Sequence, residues 1–443
     1  MKRYSEYKDS GVKWIGEIPR HWEISHIKHH SQFINGYAFD SKIFNNNNKG
    51  VKVIRIGNID GTLNYDTCIF ASIESNLIRQ FKTCKNDILI AMSGATIGKS
   101  CKVSEDDEAY INQRVGIIRC QCFSYMHYYI QAPLFRIFID INNAGCAQPN
   151  ISSSTIGNML FPIPPLNEQE AIVTYLDSKV AKIDEYISIA EKKIAALEEL
   201  KQTIIAEAVA RGIHKDVPMK DSGVKWIGMI PEHWDLKRAQ NIVESRKAGA
   251  WGEDSRNDER DRVCLRIADF DYSICRFKRT GDYTIRNYKQ EQRSSLYLNK
   301  GDILIEKSGG GEKTPVGRAI LYDLDFYQPL YANFMEKITL REFASSSFYV
   351  YLLRTFYAKG CVWKYIKQTT GLQNLDLRTM LGSETFPVPP LSEQQEIVTY
   401  IEAKVANINQ LCQAERSQIE KLKEYKQRLI SDVVTGKVKV TND

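Results

Sequence analysis

The chain has 443 residues, 43% hydrophobic and 26% charged, with a formal net charge of +6. That length exceeds what one hydrophobic core usually supports, so two or more domains are expected. No apolar run approaches the ~20 residues that span a bilayer, and the opening MKRYSEYKDS lacks the apolar stretch of a secretory signal, so a cytoplasmic location is expected. The ten cysteines show no CxxC pairing and no nearby histidine set, which predicts reduced structural thiols and no metal site.

In chain order, the first landmark is KDSGVKWIGEIPRHW, Lys8 to Trp22, which returns 212 positions later as KDSGVKWIGMIPEHW, Lys220 to Trp234. A second pair, FPIPPLNEQEAIVTYLDSKVAKID from Phe161 and FPVPPLSEQQEIVTYIEAKVANIN from Phe386, lies 225 residues apart. The chain is therefore an internal duplication whose frames are nearly alike. Its interiors, Ser25 to Leu160 and Asp235 to Thr385, have diverged.

The first interior reads as mixed α and β. Strand-like runs at Val51 to Ile59, Asp87 to Met92 and Val115 to Cys120 are punctuated by Gly, Asn and Asp, and a helix-like stretch follows from Tyr125 to Ile141. Ser93 to Ser100, SGATIGKS, has the look of a phosphate-cradling loop. Gly94 and Gly98 enclose three residues where that loop needs four, and the second copy, SGGGEKTPVGR from Ser308, has no GK[ST]. A tight turn between strands is expected, with its cations free to lie against phosphate.

Next come Pro164 and Pro165, followed by a predicted capping pair, Asn167 with Glu170, and in the second copy Ser392 with Gln395. Beyond them apolar residues recur in steps of three and four: Val173, Leu176, Val180, Ile183, Ile187, Ala190, Ile194, Leu197, Ile204 and Ala208. The second copy repeats the pattern from Val398 to Val433, and Gly212 and Gly436 mark the stops. Each predicted helix would be about 65 Å long. Only eight residues separate the first from the second frame, so the helices are expected to pack antiparallel with one module at each end, a parallel pairing or pairing with another chain being the alternatives. Lys201 and Lys426 fall in the seams, as does Glu415, either fixing the register or reaching out to solvent.

The second interior carries short landmarks of the first. Leu265-Arg266-Ile267 aligns with Ile54-Arg55-Ile56, Asp302 to Ile305 with Asp87 to Ile90, and Asn333 with Asn112, and a helix-like run covers Ser346 to Tyr357. The two helical segments together carry a charge of −4, leaving +10 for everything else, which suits a polyanionic partner. Arg and Lys can bond guanine or phosphate, and Asn and Gln can bond adenine. On that basis the DNA-binding candidates in the first interior are Arg55, Asn58, Lys99, Asn112, Gln113, Arg114, Gln148 and Asn150. In the second they are Arg266, Lys307, Lys313, Arg318, Asn333, Lys364, Lys367, Gln373 and Asn374. No catalytic constellation stands out: there is no G-x-S-x-G, no H-E-x-x-H and no dinucleotide fingerprint, and His21 and His233 suit packing beside Trp22 and Trp234.

The WIGxIPxHW openings, the PxPPLxEQ segments before heptad helices and the two divergent interiors resemble the specificity subunit of a type I restriction-modification enzyme. The resemblance implies an α+β chain of two tandem mixed α/β target recognition domains separated by a long antiparallel two-helix coiled coil, pseudo-two-fold symmetric. The domains would run 1–160 and 213–385, with spacer helices at 161–212 and 386–443. It implies no catalysis on this chain. S-adenosylmethionine, ATP and Mg would sit on partners, namely two methyltransferase subunits and restriction/translocase subunits, and each module would read one half of a bipartite double-stranded DNA site. Two other readings stand beside it: a coiled-coil scaffold that recruits proteins without reading DNA, and a single-chain modification enzyme, which the absent motifs disfavour.

Overall fold

The computed structural model describes residues 2–45, 47–105, 108–143, 149–214, 216–311, 314–369 and 371–441. The chain divides into two compact units, Met1–Glu191 with Arg416–Asp443, and Lys192–Glu415. Each long helix contributes residues to both units.

In the first unit an antiparallel sheet has the order Ser100–Lys102, Ile88–Ala91, Val115–Cys120, Ser31–Asn35. All four residues of Ile88–Ala91 are buried, without the alternation of a half-exposed strand, because both faces of the sheet are covered. Ile88 and Ile90 join the core made with the helices, and Leu89 joins a second core. The second sheet, Ala109–Ile111, Val51–Ile54, Ile69–Ala71, Phe44–Asn45, contains one parallel pair, Ala109–Ile111 with Val51–Ile54. The predicted helix over Tyr125 to Ile141 is two helices, Phe123–Gln131 and Pro133–Asn142. Pro133 forces Ala132 into an extended backbone (ψ 148°) and ends the first of them.

The second unit repeats this plan with Ala319–Leu321, Ile303–Glu306, Met335–Leu340 and Val243–Ala248 as four consecutive strands of a six-stranded sheet, Val243–Ala248 at its edge. Ile303 and Ile305 face the helix-side core and Leu304 the other, as in the first unit. It adds a three-stranded sheet, Ser308–Gly309, Leu372–Leu375 and Ile366–Thr369.

The long helices are Leu166–Arg211 and Leu391–Val434. Both start one residue before the predicted capping residue. The Pro165 carbonyl accepts from the backbone N–H of Glu168 (2.9 Å) and Gln169 (3.0 Å), and the Pro390 carbonyl accepts from Gln394 (2.9 Å). Asn167 and Ser392 therefore lie inside the first turn and do not cap it. Gly212 and Gly436 end the helices with φ of +75° and +72°, the left-handed backbone that glycine tolerates. A Cβ on Gly436 would sit 2.3 Å from Pro19 and one on Gly212 would sit 3.3 Å from Trp234, so the stops are also where each helix end meets a repeated frame.

In the first unit the core takes Ile172, Leu176 and Ile183 from one helix and Leu429, Ile430 and Val433 from the other. In the second, Lys193 meets Glu415 (2.5 Å) and Lys201 meets Asn409 (3.1 Å), so the helices run in opposite directions there. Ile205, 1% exposed, takes the buried place predicted for the half-buried Ile204, because the module packs over the last turns.

Candidate nucleic-acid interface

The candidate side chains of the first unit meet around one tight turn. Val115 N–H donates to the Asn112 carbonyl (2.8 Å), Asn112 N–H to Ile54 (2.9 Å), and Met92 N–H to the Arg114 carbonyl (2.9 Å). Gly36 presses against the back of this turn, where a Cβ would lie 2.1 Å from the Asn112 oxygen. Asn112 Oδ1 accepts from Gln113 N–H (2.8 Å), so Asn112 shapes the turn while Gln113 and Arg114 project from it, exposed. The two line a cleft of about 1130 Å³ with Asn35, Ser93, Asn150 and Ser152. Asn150 reaches the cleft through a bridge to Ser93.

The same backbone recurs in the second unit. Met335 N–H donates to Ala332 (3.1 Å), Ala332 N–H to Leu265 (2.9 Å), and Lys307 N–H to Phe334 (2.8 Å). Gly249 takes the part of Gly36, with a Cβ position 2.3 Å from the Ala332 oxygen. This register pairs Asn112 with Ala332 and Gln113 with Asn333, one residue away from the sequence alignment of Asn112 with Asn333. It also sets Arg114 against Phe334. Ser308 pairs with Asn374 as Ser93 does with Asn150.

Three candidates are turned inward, which corrects their expected place on a reading surface. Asn58, 4% exposed, accepts from Arg55 N–H (2.7 Å) and donates to Thr67 (2.9 Å), bracing a short turn. Gln373, 1% exposed, accepts from Val316 N–H and donates to the Gly311 carbonyl. Arg318 forks onto the buried Glu306 (2.8 and 2.6 Å) and stacks on Tyr272 at 3.8 Å. Each is there because a buried polar group needs a partner.

Lys99 pairs with Asp60 (2.8 Å), Arg266 with Asp269 (3.6 Å), Lys307 with Glu336 (3.5 Å), Lys364 with Glu384 (3.4 Å) and Lys367 with Asp376 (2.7 Å). Arg55 and Arg114 have no ion-pair partner among the described residues; both belong to the first unit, and Ile56 beside Arg55 lies against Gly94 of the Arg114 cleft. Asn374 accepts from Ser308 (2.6 Å), and Asn333 is exposed. Gln148 and Lys313 lie outside the described residues. Sequence reasoning missed Phe334, 45% exposed, and Trp363, 47% exposed; an aromatic beside a predicted turn was the signal available.

The suspected phosphate loop is a turn joining Ile88–Ala91 to Ser100–Lys102, with Gly98 N–H on the Ala91 carbonyl (2.8 Å), and no helix follows it as phosphate cradling would require. In the frame, Glu168 accepts from Tyr4 (2.7 Å) and Trp22 (3.1 Å) and bonds His21 (2.5 Å). Burial opposes its charged form, but these bonds outweigh burial and hold the carboxyl below the usual carboxylate range. Among the described residues no cluster of three or more His, Cys, Asp or Glu is placed to hold a metal, and no helix is long and apolar enough to cross a membrane.

A family model described as the type I restriction modification DNA specificity domain matches residues 19–199 and again 231–421. The type I restriction enzyme EcoKI specificity subunit of Escherichia coli (strain K12) is 22% identical over 438 residues, covering 96% of this chain and 90% of that protein. The MjaVIII specificity subunit of Methanocaldococcus jannaschii is 24% identical over 370 residues, covering 81% and 80%. A solved chain described under "Structural basis underlying complex assembly and conformational transition of the type I R-M system" aligns with a TM-score of 0.68 at 16% identity, over 94% of this chain and 98% of its own, a likeness of fold.

Proposed function

Because the chain belongs to the type I restriction-modification DNA specificity family, we propose that it is the specificity subunit of such a complex and binds double-stranded DNA sequence-specifically. Each unit reads one half of a bipartite site, for adenine methylation or restriction carried out by partner subunits. The observation that carries this reading is the repetition of one clamped turn with different side chains on it, Gln113-Arg114 and Asn333-Phe334. Two readers with one scaffold and unlike surfaces suit a site of two unlike halves.

In this proposal the paired helices form an antiparallel coiled coil with pseudo-two-fold symmetry that sets the unread gap. The contacts Lys201–Asn409 and Lys426–Asp184, at positions 225 residues apart in the duplication, support it. Two methyltransferase subunits and the restriction/translocase subunits are the partners. S-adenosylmethionine, ATP and Mg belong to them, and the assembly works in the cytoplasm. Lys367, 74% exposed, pairs with Asp376, so exchanging that carboxylate for a DNA phosphate costs it little.

Exchanging Ser25 to Leu160 for the corresponding module of another chain tests the reading. Mapping of methylated adenines in cells that carry the partner subunits is expected to show one half-site changed, and the other half and the gap retained. A hybrid with both halves changed overturns it, and a complex without salt-sensitive DNA binding favours the scaffold.

A further inference from the structure

Resting on that reading, we propose that the turn Asn112 to Val115 and its counterpart Ala332 to Met335 are the principal base-reading elements, with Arg114 selecting a guanine in one half-site and Phe334 a thymine in the other. Three observations carry this inference.

The first is rigidity. Each turn is tied by three backbone hydrogen bonds and backed by a glycine whose Cβ would collide with a backbone oxygen, at 2.1 Å for Gly36 and 2.3 Å for Gly249. So fixed a base aims the side chain that projects from it at one place, which two-point hydrogen bonding to a base edge requires and a loose phosphate contact does not.

The second is unspent bonding capacity. Among the described residues Arg114 and Gln113 make no side-chain hydrogen bond or ion pair, whereas six of the eight described candidate cations already hold a carboxylate. Arg114 offers two parallel N–H donors to guanine O6 and N7, the acceptor pair that no other base presents in the major groove.

The third is the identity of the equivalent residue. Phe334, 45% exposed, occupies the place of Arg114. An exposed phenyl ring gains nothing beside a phosphate, but it packs on the thymine 5-methyl group at a base edge. One position that carries Arg in one copy and Phe in the other is therefore a position that meets bases.

The test is Arg114→Ala in the full complex with its partner subunits, read by genome-wide mapping of methylated adenines and by DNA binding at several salt concentrations. The expected result is loss of discrimination at a single guanine of one half-site, by roughly tenfold or more, with the other half unchanged. Phe334→Ala is expected to relax one thymine of the other half. The double substitution Gln113→Asn with Arg114→Phe should replace the guanine requirement by thymine. An unaltered motif overturns the proposal, as does a uniform weakening at all sites with the salt slope reduced by about one, which marks a phosphate contact. An unchanged melting temperature shows that the fold is intact. If the unsubstituted complex methylates no bipartite motif, the reading beneath the proposal fails instead, a result that the variants are not needed to see.

Discussion

The turn of the first unit and that of the second share their hydrogen bonds but not their side chains. In one, Gln113 and Arg114 stand out as polar groups unpaired among the described residues; in the other, Asn333 stands beside an exposed Phe334 with Lys307 adjoining. Backbone amides and one glycine are therefore enough to hold the turn, which leaves its two outward positions free to vary. The Glu306–Arg318 pair points the same way. Where the second unit buries a carboxylate and answers it with a forked guanidinium, the first has Ala91 and Lys99 at the matching backbone positions, and Lys99 turns to the exposed Asp60.

The largest effect is expected from replacing the glycines. Gly36→Val and Gly249→Val each place a branched side chain where even a Cβ would be 2.1 and 2.3 Å from a backbone oxygen. The turn must move, at a cost of about 3 kcal/mol. Urea unfolding should show the loss in both variants, and methylation mapping should show Gly36→Val acting on one half-site and Gly249→Val on the other. A pair of variants that spoils the same half would break the equivalence.

A smaller effect should separate the two helix pairs. Lys201 is 1% exposed and meets Asn409 across the helices and Glu198 on its own, whereas Lys426 is 23% exposed and meets Asp184. Asn409→Ala leaves a buried ammonium with a single partner and should cost about 2 kcal/mol. Asp184→Ala, in water, should cost less than about 1 kcal/mol. Lys201→Met combined with Asn409→Leu should recover most of the loss, since matched apolar replacement of a buried polar pair is often neutral. Thermal unfolding of the three variants checks the order, and equal losses would show that burial does not distinguish the pairs.

Much of this was legible because repetition is visible in letters. The frames, the long helices and their glycine stops follow from Trp14 to Trp22, the double prolines and the steps of three and four. Strand Ile88–Ala91 was readable as a short apolar run before Ser93. What escaped needed three dimensions. The match of Gln113 with Asn333 is fixed by which amide meets which carbonyl, and no letter marks that. Asn58, Arg318 and Gln373 looked like readers because their chemistry suits bases, yet Arg318 and Gln373 answer buried partners that sequence does not place beside them, and Asn58 is itself buried and bonds Thr67. Ile205 replaces Ile204 in the buried row because a module, more than a second helix, covers that end.

The smallest expected effect lies in the frames. Glu168 takes hydrogen bonds from Tyr4, Trp22 and His21, while Glu393 bonds His233 (2.8 Å) and the buried Trp234 Nε1 has no partner among the described residues. Glu168→Gln should therefore cost about 1 kcal/mol at neutral pH, and Glu393→Gln less. The pH dependence follows from the direction of the shift. The folded chain holds the Glu168 carboxyl below its ordinary value of 4.5, so the unfolded chain binds the proton first as pH falls. The stabilisation is complete above that ordinary value and drains away as pH drops through the lowered folded one. Acid titrations of unfolding free energy should then show the unsubstituted protein and Glu168→Gln converging below pH 4.5, whereas Glu393→Gln runs closer to the unsubstituted curve throughout. A gap for Glu168→Gln that stays constant down to low pH would mean that shape, and not charge, is what the three donors hold.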